Sequence, residues 1–353
     1  MVTRRSFVGA LIAIALLVNR DASAQAFSVG TATAARGHTA TGAIDVPAGS
    51  DAALSIPVAV VHGAKPGPVL ALVAGAHGTE YASIIALERL ITELDAAQVS
   101  GTVIIVPLLN VPSFTRIVPH LNPVDAKNMN RMYPGRADGT QTERASYAIT
   151  KQVVEVSDHL IDFHGGDIDE SLRPYSYWTK TGRAAQDAAS LAMVLAFGLD
   201  HIIISTDRPA DPAASRYLEN TATTRGKPSM TVEAGHAGTV ERDDVEVLMN
   251  GTLSVMRHLK MLPGTPMTAD HPVWIERLAD VASEQSGIFY PLAKRGAYVE
   301  AGMKLGYVTD FVGRQIFEAR AKSAGVLLYI RAVPSVTKGD TIASVGVIGK
   351  GPN

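Results

Sequence analysis

The sequence predicts an α/β protein: a layered domain with a mixed, largely parallel sheet over residues 25–265, then a small all-β domain over residues 266–353. Three observations carry this. Short β-rich runs alternate with helical stretches from about residue 54 to 260, the pattern of βαβ units. After Pro266 the texture becomes Gly- and Val-rich, with short runs and turn residues at all-β spacing. The chain of 353 residues is long enough for one large domain and a smaller one.

The elements follow in order. Residues 69–73 read as a buried strand stopped by Gly75, and residues 82–94 place Ile84, Ile85, Leu87, Ile91 and Leu94 at helical spacing. Residues 103–106 form the next strand, and residues 142–156 the next helix. Further strands fall at 160–163, 202–204 and 230–232. Helical periodicity resumes over 243–261 until Leu262-Pro263-Gly264 stops it. In the C-terminal part, the runs 306–309, 326–330 and 342–345 read as strands, with no obvious catalytic polar cluster among them.

The first residues have a different purpose. Arg4 and Arg5 precede an uncharged apolar run over 7–18, too short to span a bilayer comfortably, and Ala22-Ser23-Ala24 offers a small-residue cleavage site. Residues 1–24 are therefore expected to be a signal peptide, and Thr3-Arg4-Arg5-Ser6-Phe7-Val8 resembles a twin-arginine export signal. The expected location is the periplasm, without a stable membrane anchor after cleavage. Loss of Arg4, Arg5, Arg20 and Asp21 takes the formal charge from -2 to -4, which leaves no electrostatic footprint for nucleic acid. The chain has no cysteine, so disulfides and thiolate metal sites are excluded, and any metal must sit on histidine and carboxylate.

Polar residues collect just after the predicted strands, where α/β sheets bind ligands. They are Gly75-Ala76-His77-Gly78-Thr79-Glu80; Asn110 with the loop carrying Arg116 and Asn128-Met129-Asn130-Arg131-Met132-Tyr133-Pro134-Gly135; Asp162-Phe163-His164-Gly165-Gly166; and Glu233-Ala234-Gly235. His77 and Glu80, on a tight glycine-flanked turn, can face one ion, and His164 completes a His₂Glu set with an open position, as in catalytic zinc sites. The bland alternatives are a solvated His–Glu pair and a core histidine. Asp162 is given no role, because contact with His164 is taken to need a distorted strand end. Of the other histidines, His236 alone is placed to line a pocket.

In this order, His77-Gly78-Thr79-Glu80, Asn130-Arg131 before Pro134-Gly135, Asp162-Phe163-His164 and Glu233-Ala234-Gly235 resemble the succinylglutamate desuccinylase/aspartoacylase family, a branch of the zinc carboxypeptidase superfold. The resemblance implies a zinc carboxypeptidase-like catalytic domain followed by a small β-domain that narrows access to the site. It implies one zinc ion per chain on His77, Glu80 and His164, with Glu233 as general base and then acid. Asn130 and Arg131 would grip the substrate carboxylate, for which arginine's planar fork is suited, and Arg116 would stabilise the oxyanion. Where the family often has Asp-Leu-Asn-Arg this chain has Asn128-Met129-Asn130-Arg131, a change expected to affect substrate affinity near Arg131 and not the metal.

The expected activity is zinc-dependent removal of an acyl group from a small N-acyl amino acid or related metabolite. A second reading, favoured by export, is a carboxypeptidase-like peptidase acting on short peptides or cell-wall fragments. A third is a non-catalytic binding protein, against which the retained Glu233 argues. The sequence does not name the acyl group or amino acid, and it is compatible with a homo-oligomer.

Overall fold

The computed structural model describes residues 26–352, and the expected signal peptide lies outside them. Among these residues no helix is long and apolar enough to cross a membrane. A hairpin of β1 (Phe27–Val29) and β2 (Ala32–Ala34) precedes β3 (His38–Val46), β4 (Leu54–His62) and β5 (Lys65–Ala74). Then come α1 (Tyr81–Glu93), β6 (Ser100–Val106), α2 (Val111–Arg116), α3 (Gln141–Ile149), β7 (His159–His164) and β8 (Glu170–Thr179). α4 (Ala184–Phe197), β9 (His201–Ser205), α5 (Leu218–Thr224), β10 (Ser229–His236) and α6 (Arg242–His258) follow. The rest is strand: β11 (Val273–Ala282), β12 (Gly287–Pro291), β13 (Tyr298–Val299), β14 (Lys304–Thr309), β15 (Gln315–Arg320), β16 (Gly325–Arg331), β17 (Ser335–Val336) and β18 (Thr341–Ile348).

Local chemistry explains the helix limits. Thr140 and Glu143 form a capping box at the start of α3, which runs on through a wider turn at Thr150–Val154. Gly198, at φ 89°, takes the left-handed position that ends α4. α6 has Asp243 and Asp244 in its first turn and Arg257 and His258 in its last, each sign matching the helix dipole.

The main sheet is mixed. β6, β5, β7 and β10 run parallel at its centre, while β3, β4 and β8 add antiparallel neighbours. Side chains alternate between two cores, as a period of two requires. Leu70, Leu72 and Ala74 pack with residues of α1, α4 and α6, while Ala71 and Val73 pack with α3, α5 and the β1–β2 hairpin. Each fully buried leucine of this kind contributes about 1.5–3 kcal/mol.

The C-terminal strands are not a separate layer. β11 pairs in parallel with β9, and β16 pairs with both β18 and β8, so β8, β9, β11, β18 and β16 close into a ring. β15, β14, β12 and β17 form a second, four-stranded sheet. Closure of the ring brings residues of β11, β16 and β18 beside the carboxyl ends of the central strands.

Two successive glycines let those ends approach. A Cβ on Gly165 would lie 2.3 Å from the Ala234 carbonyl oxygen, and one on Gly166 would lie 2.5 Å from that of Gly235. Backbone therefore packs on backbone immediately after His164 and Glu233, which sit opposite each other in the β7–β10 register. A side chain at Gly165 has no room without parting these two loops.

Candidate active site and metal centre

β5 delivers the turn that carries His77 and Glu80, and β7 ends on His164. The three side chains meet: His77 Nδ1 is 2.7 Å from Glu80 Oε1, and His164 Nδ1 is 3.1 Å from Glu80 Oε2. One ligand atom from each lies within 4.8 Å of the others, an arrangement able to hold a metal ion. Glu80 occupies the N-cap of α1, where the helix dipole favours a carboxylate. Burial pushes the Glu80 carboxyl up, but the two imidazoles outweigh it and bring it down to about 2. Burial likewise opposes a charge on His164, yet the Asp162 and Glu80 carboxylates hold its pKa well above the ordinary histidine value.

The far side of each ring bears on whether this set fits a metal. His77 Nε2 faces Asn128 Oδ1 at 3.2 Å, and His164 Nε2 faces Asp162 Oδ1 at 3.3 Å. The Asn128 acceptor behind His77 favours the proton on Nε2 and leaves Nδ1 free for a cation, the usual support of a metal-binding histidine, while His164 Nε2 is met by both Asp162 and the Asn130 amide nitrogen. The donor set therefore fits a divalent ion such as zinc. Two expectations are corrected here. Asp162 needs no strand distortion to reach His164, because residues two apart share a face of a strand. Asn128 backs His77 and not Arg131, so the exchange of aspartate for asparagine bears on the metal centre.

Glu233 faces the same cavity, which has a volume of about 920 Å³, within the range of small-molecule sites. Among the described residues its carboxylate makes no ion pair or side-chain hydrogen bond. Burial pushes its pKa well above the carboxylate range; His164 offsets part of this, while Glu80, Glu170 and Asp162 add to it. Arg131 also lines the cavity, its guanidinium 4.7 Å from the centre of the Tyr217 ring. Asn130 lines it too, but is engaged: its Oδ1 accepts the Leu218 N–H at 2.9 Å, and its amide nitrogen lies 2.9 Å from His164 Nε2.

Other residues fall elsewhere. Arg116 ends α2, exposed to solvent, and is not among the residues lining the cavity. Ile117 and His120 adopt positive φ, which turns the chain so that His120 reaches the cavity instead. His120 Nε2 is 2.9 Å from Asp169 Oδ1 and its Nδ1 is 3.3 Å from Asp167 Oδ2. Against the cost of burial, these carboxylates and Glu170 raise its pKa to about 9, so it is a cation at neutral pH. Asn110 caps α2, and His236 bonds Ser171, so both serve the fold.

Sequence reasoning missed Glu170, Tyr175, Tyr177, Tyr217, Glu219, Tyr329 and Arg331, all of which line the cavity. Burial pushes Glu170 up to about 7 despite His120 nearby. The aromatic alternation of Tyr175 and Tyr177 in β8 is a strand signal that could have been read. Nothing local marks Tyr329 or Arg331, which arrive through ring closure.

A mixed α/β sheet with two imidazoles, one ligating-type carboxylate and one uncommitted carboxylate at its strand ends defines an α/β protein built around a metal-competent polar cavity. Residues 66–259 match the succinylglutamate desuccinylase/aspartoacylase catalytic domain. The chain belongs to the succinylglutamate desuccinylase/aspartoacylase family. It is 31% identical over 302 residues to the N-alpha-acetyl-L-2,4-diaminobutyric acid deacetylase of Halomonas elongata, covering 84% of this chain and 86% of that protein. Its structure is similar to the product-bound ectoine utilization protein EutE (DoeB) of Ruegeria pomeroyi, with a TM-score of 0.80, 28% identity and coverage of 92% of this chain and 99% of that one. A succinylglutamate desuccinylase/aspartoacylase of Rhodobacter sphaeroides gives a TM-score of 0.77 at 25% identity, covering 88% and 96% of the two chains.

Proposed function

We propose that the protein is an exported, zinc-dependent amidohydrolase that removes the acyl group from a small N-acyl amino acid. The observation carrying this is the convergence of His77, Glu80 and His164 on one point, beside a Glu233 whose carboxylate makes no ion pair or side-chain hydrogen bond among the described residues. A zinc ion held there would polarise the scissile carbonyl and acidify a water molecule. Glu233 takes the proton of the attacking water and returns it to the departing amine nitrogen. Arg131, steadied over Tyr217, pairs with the substrate carboxylate. His120 contributes positive charge to the cavity wall where negative charge develops on the carbonyl oxygen. Arg116, exposed and not among the residues lining the cavity, is given no part in this scheme.

The names of the relatives are those of deacylases, which supports deacylation over peptide cleavage. So does the wall formed by Leu278, Asp280, Tyr329, Arg331 and Ser344, because it narrows the room for an extended peptide. A screen of N-acetyl and N-succinyl amino acids against dipeptides tests the reading. Turnover is expected in the first group; activity confined to the dipeptides would reverse the assignment. Export rests on the pattern of residues 1–24. The mature chain, isolated from the periplasm, is expected to begin at Gln25, and a full-length cytoplasmic chain would overturn that part.

A further inference from the structure

We propose that Glu219 is the specificity residue of the cavity, receiving the cationic side chain of a diamino acid whose acylated amine is cleaved beside Glu233. This rests on the deacylase reading and names its substrate class. Glu219 projects from α5, is buried, and lines the cavity. Three hydroxyls hold its carboxylate, donated by Thr223 of α5, Thr179 of β8 and Ser229 of β10. No lysine or arginine pairs with it among the described residues. Hydroxyls satisfy its lone pairs but do not neutralise it, and a buried carboxylate without a counter-charge is costly. Burial accordingly raises its pKa, against the pull of the three hydroxyls.

A second side chain points to the same ligand. Asp162 is 1% exposed and lines the same cavity, and its Oδ2 has no hydrogen-bond partner. The parallel strands order these groups in depth. Glu233 lies opposite His164, Thr231 lies opposite Asp162 two residues back, and Ser229, which bonds Glu219, lies two residues further. At roughly 3.3 Å per residue, the Ser229 level, where the Glu219 carboxylate itself is held, is about 13 Å along the strand from Glu233, so the longer diamino acids, ornithine and lysine, are those whose ammonium approaches it. A substrate cut at the His164 level would thus extend its side chain past Asp162 toward Glu219, with its carboxylate on Arg131. An acylated aspartate or glutamate would instead set a second carboxylate against two acids.

The test uses the mature, zinc-loaded protein with the Nα-acetyl derivatives of 2,4-diaminobutyrate, ornithine and lysine. Their neutral counterparts are N-acetyl-2-aminobutyrate, -norvaline and -norleucine, with N-acetylaspartate as the acidic case. We expect kcat/KM to favour the best cationic substrate over its neutral counterpart by about 100-fold, the scale of a desolvated charge pair. Glu219→Gln should bring this ratio to within a few-fold, chiefly through KM, while turnover of the neutral substrate persists and shows that the variant folds. Glu219→Asp should fall between. A purely structural Glu219 would lower all substrates together, and an unchanged ratio in E219Q overturns the proposal. If E219Q does not fold, the wild-type panel decides: no preference for the cation, or a preference for aspartate, overturns it. Absence of turnover on every N-acyl amino acid overturns the deacylase reading instead. Calorimetry then decides the Glu219 assignment, through tighter binding of free lysine than of norleucine or equal binding of both.

Discussion

Replacing Glu233 by glutamine is expected to lower kcat by about 10²- to 10⁴-fold, the span of general acid–base catalysis, while the protein keeps its zinc. The geometry separates the two effects. Glu233 lies across from His164 in the β7–β10 register but outside the trio that faces the metal position. Glutamine keeps the shape of the side chain and loses only its basicity, so the closely packed loops at Gly165 and Gly235 need not move. The pH profile gives a second reading of the same group. A protonated Glu233 cannot accept a proton, so wild-type kcat/KM should fall as pH drops through its pKa, which burial pushes upward against the pull of His164. Wild-type kcat in E233Q, measured on a substrate found by the acyl amino acid screen, would remove Glu233 from the mechanism.

The centre of this site was legible because each of its members directly follows an apolar run. Residues 69–73, 160–163 and 230–232 fall inside β5, β7 and β10, and His77, His164 and Glu233 stand at or just beyond those runs. A buried parallel strand writes itself as consecutive apolar residues, and its end is marked by the first polar one. β3, β8 and α4 escaped for the opposite reason. β8 mixes Ser171, Arg173, Pro174 and Ser176 with its aromatics, and six of the 14 residues of α4 are alanine, with only Gly198 as a stop signal. The cavity wall was illegible in a deeper sense. Tyr329 meets Leu172 through a pairing between strands more than a hundred residues apart, and no local pattern announces which edges will join. The reading that the C-terminal strands carry no catalytic polar cluster followed from that. Ring closure places Tyr329, Arg331 and Asp280 in the cavity, although none is part of a recognisable motif.

Removing the metal is expected to abolish hydrolysis, and about one equivalent of zinc per chain to restore it. His77, Glu80 and His164 bind a cation only in their deprotonated forms, so binding must displace any proton they hold. Without a cation, His164 holds its proton firmly, because Asp162 and Glu80 both stabilise the imidazolium. Glu80 is already ionised, having been drawn down to about 2. The sign follows: lowering the pH weakens apparent zinc affinity by about tenfold per unit for each proton displaced, and raising it strengthens binding until His164 is neutral. Behind the other histidine, Asn128 offers His77 Nε2 a neutral amide oxygen at 3.2 Å. A carboxylate there would make the imidazole a better donor, so Asn128→Asp should tighten zinc binding by about 10- to 100-fold, the usual weight of such a supporting group. Competition with a chromophoric chelator across pH 6 to 9 measures both effects without recourse to activity. A folded protein that stays fully active after exhaustive chelation, with zinc far below one equivalent, would refute the metal assignment. A tightening of affinity in N128D would instead show that His77 binds through Nδ1 with its proton held on the Asn128 side.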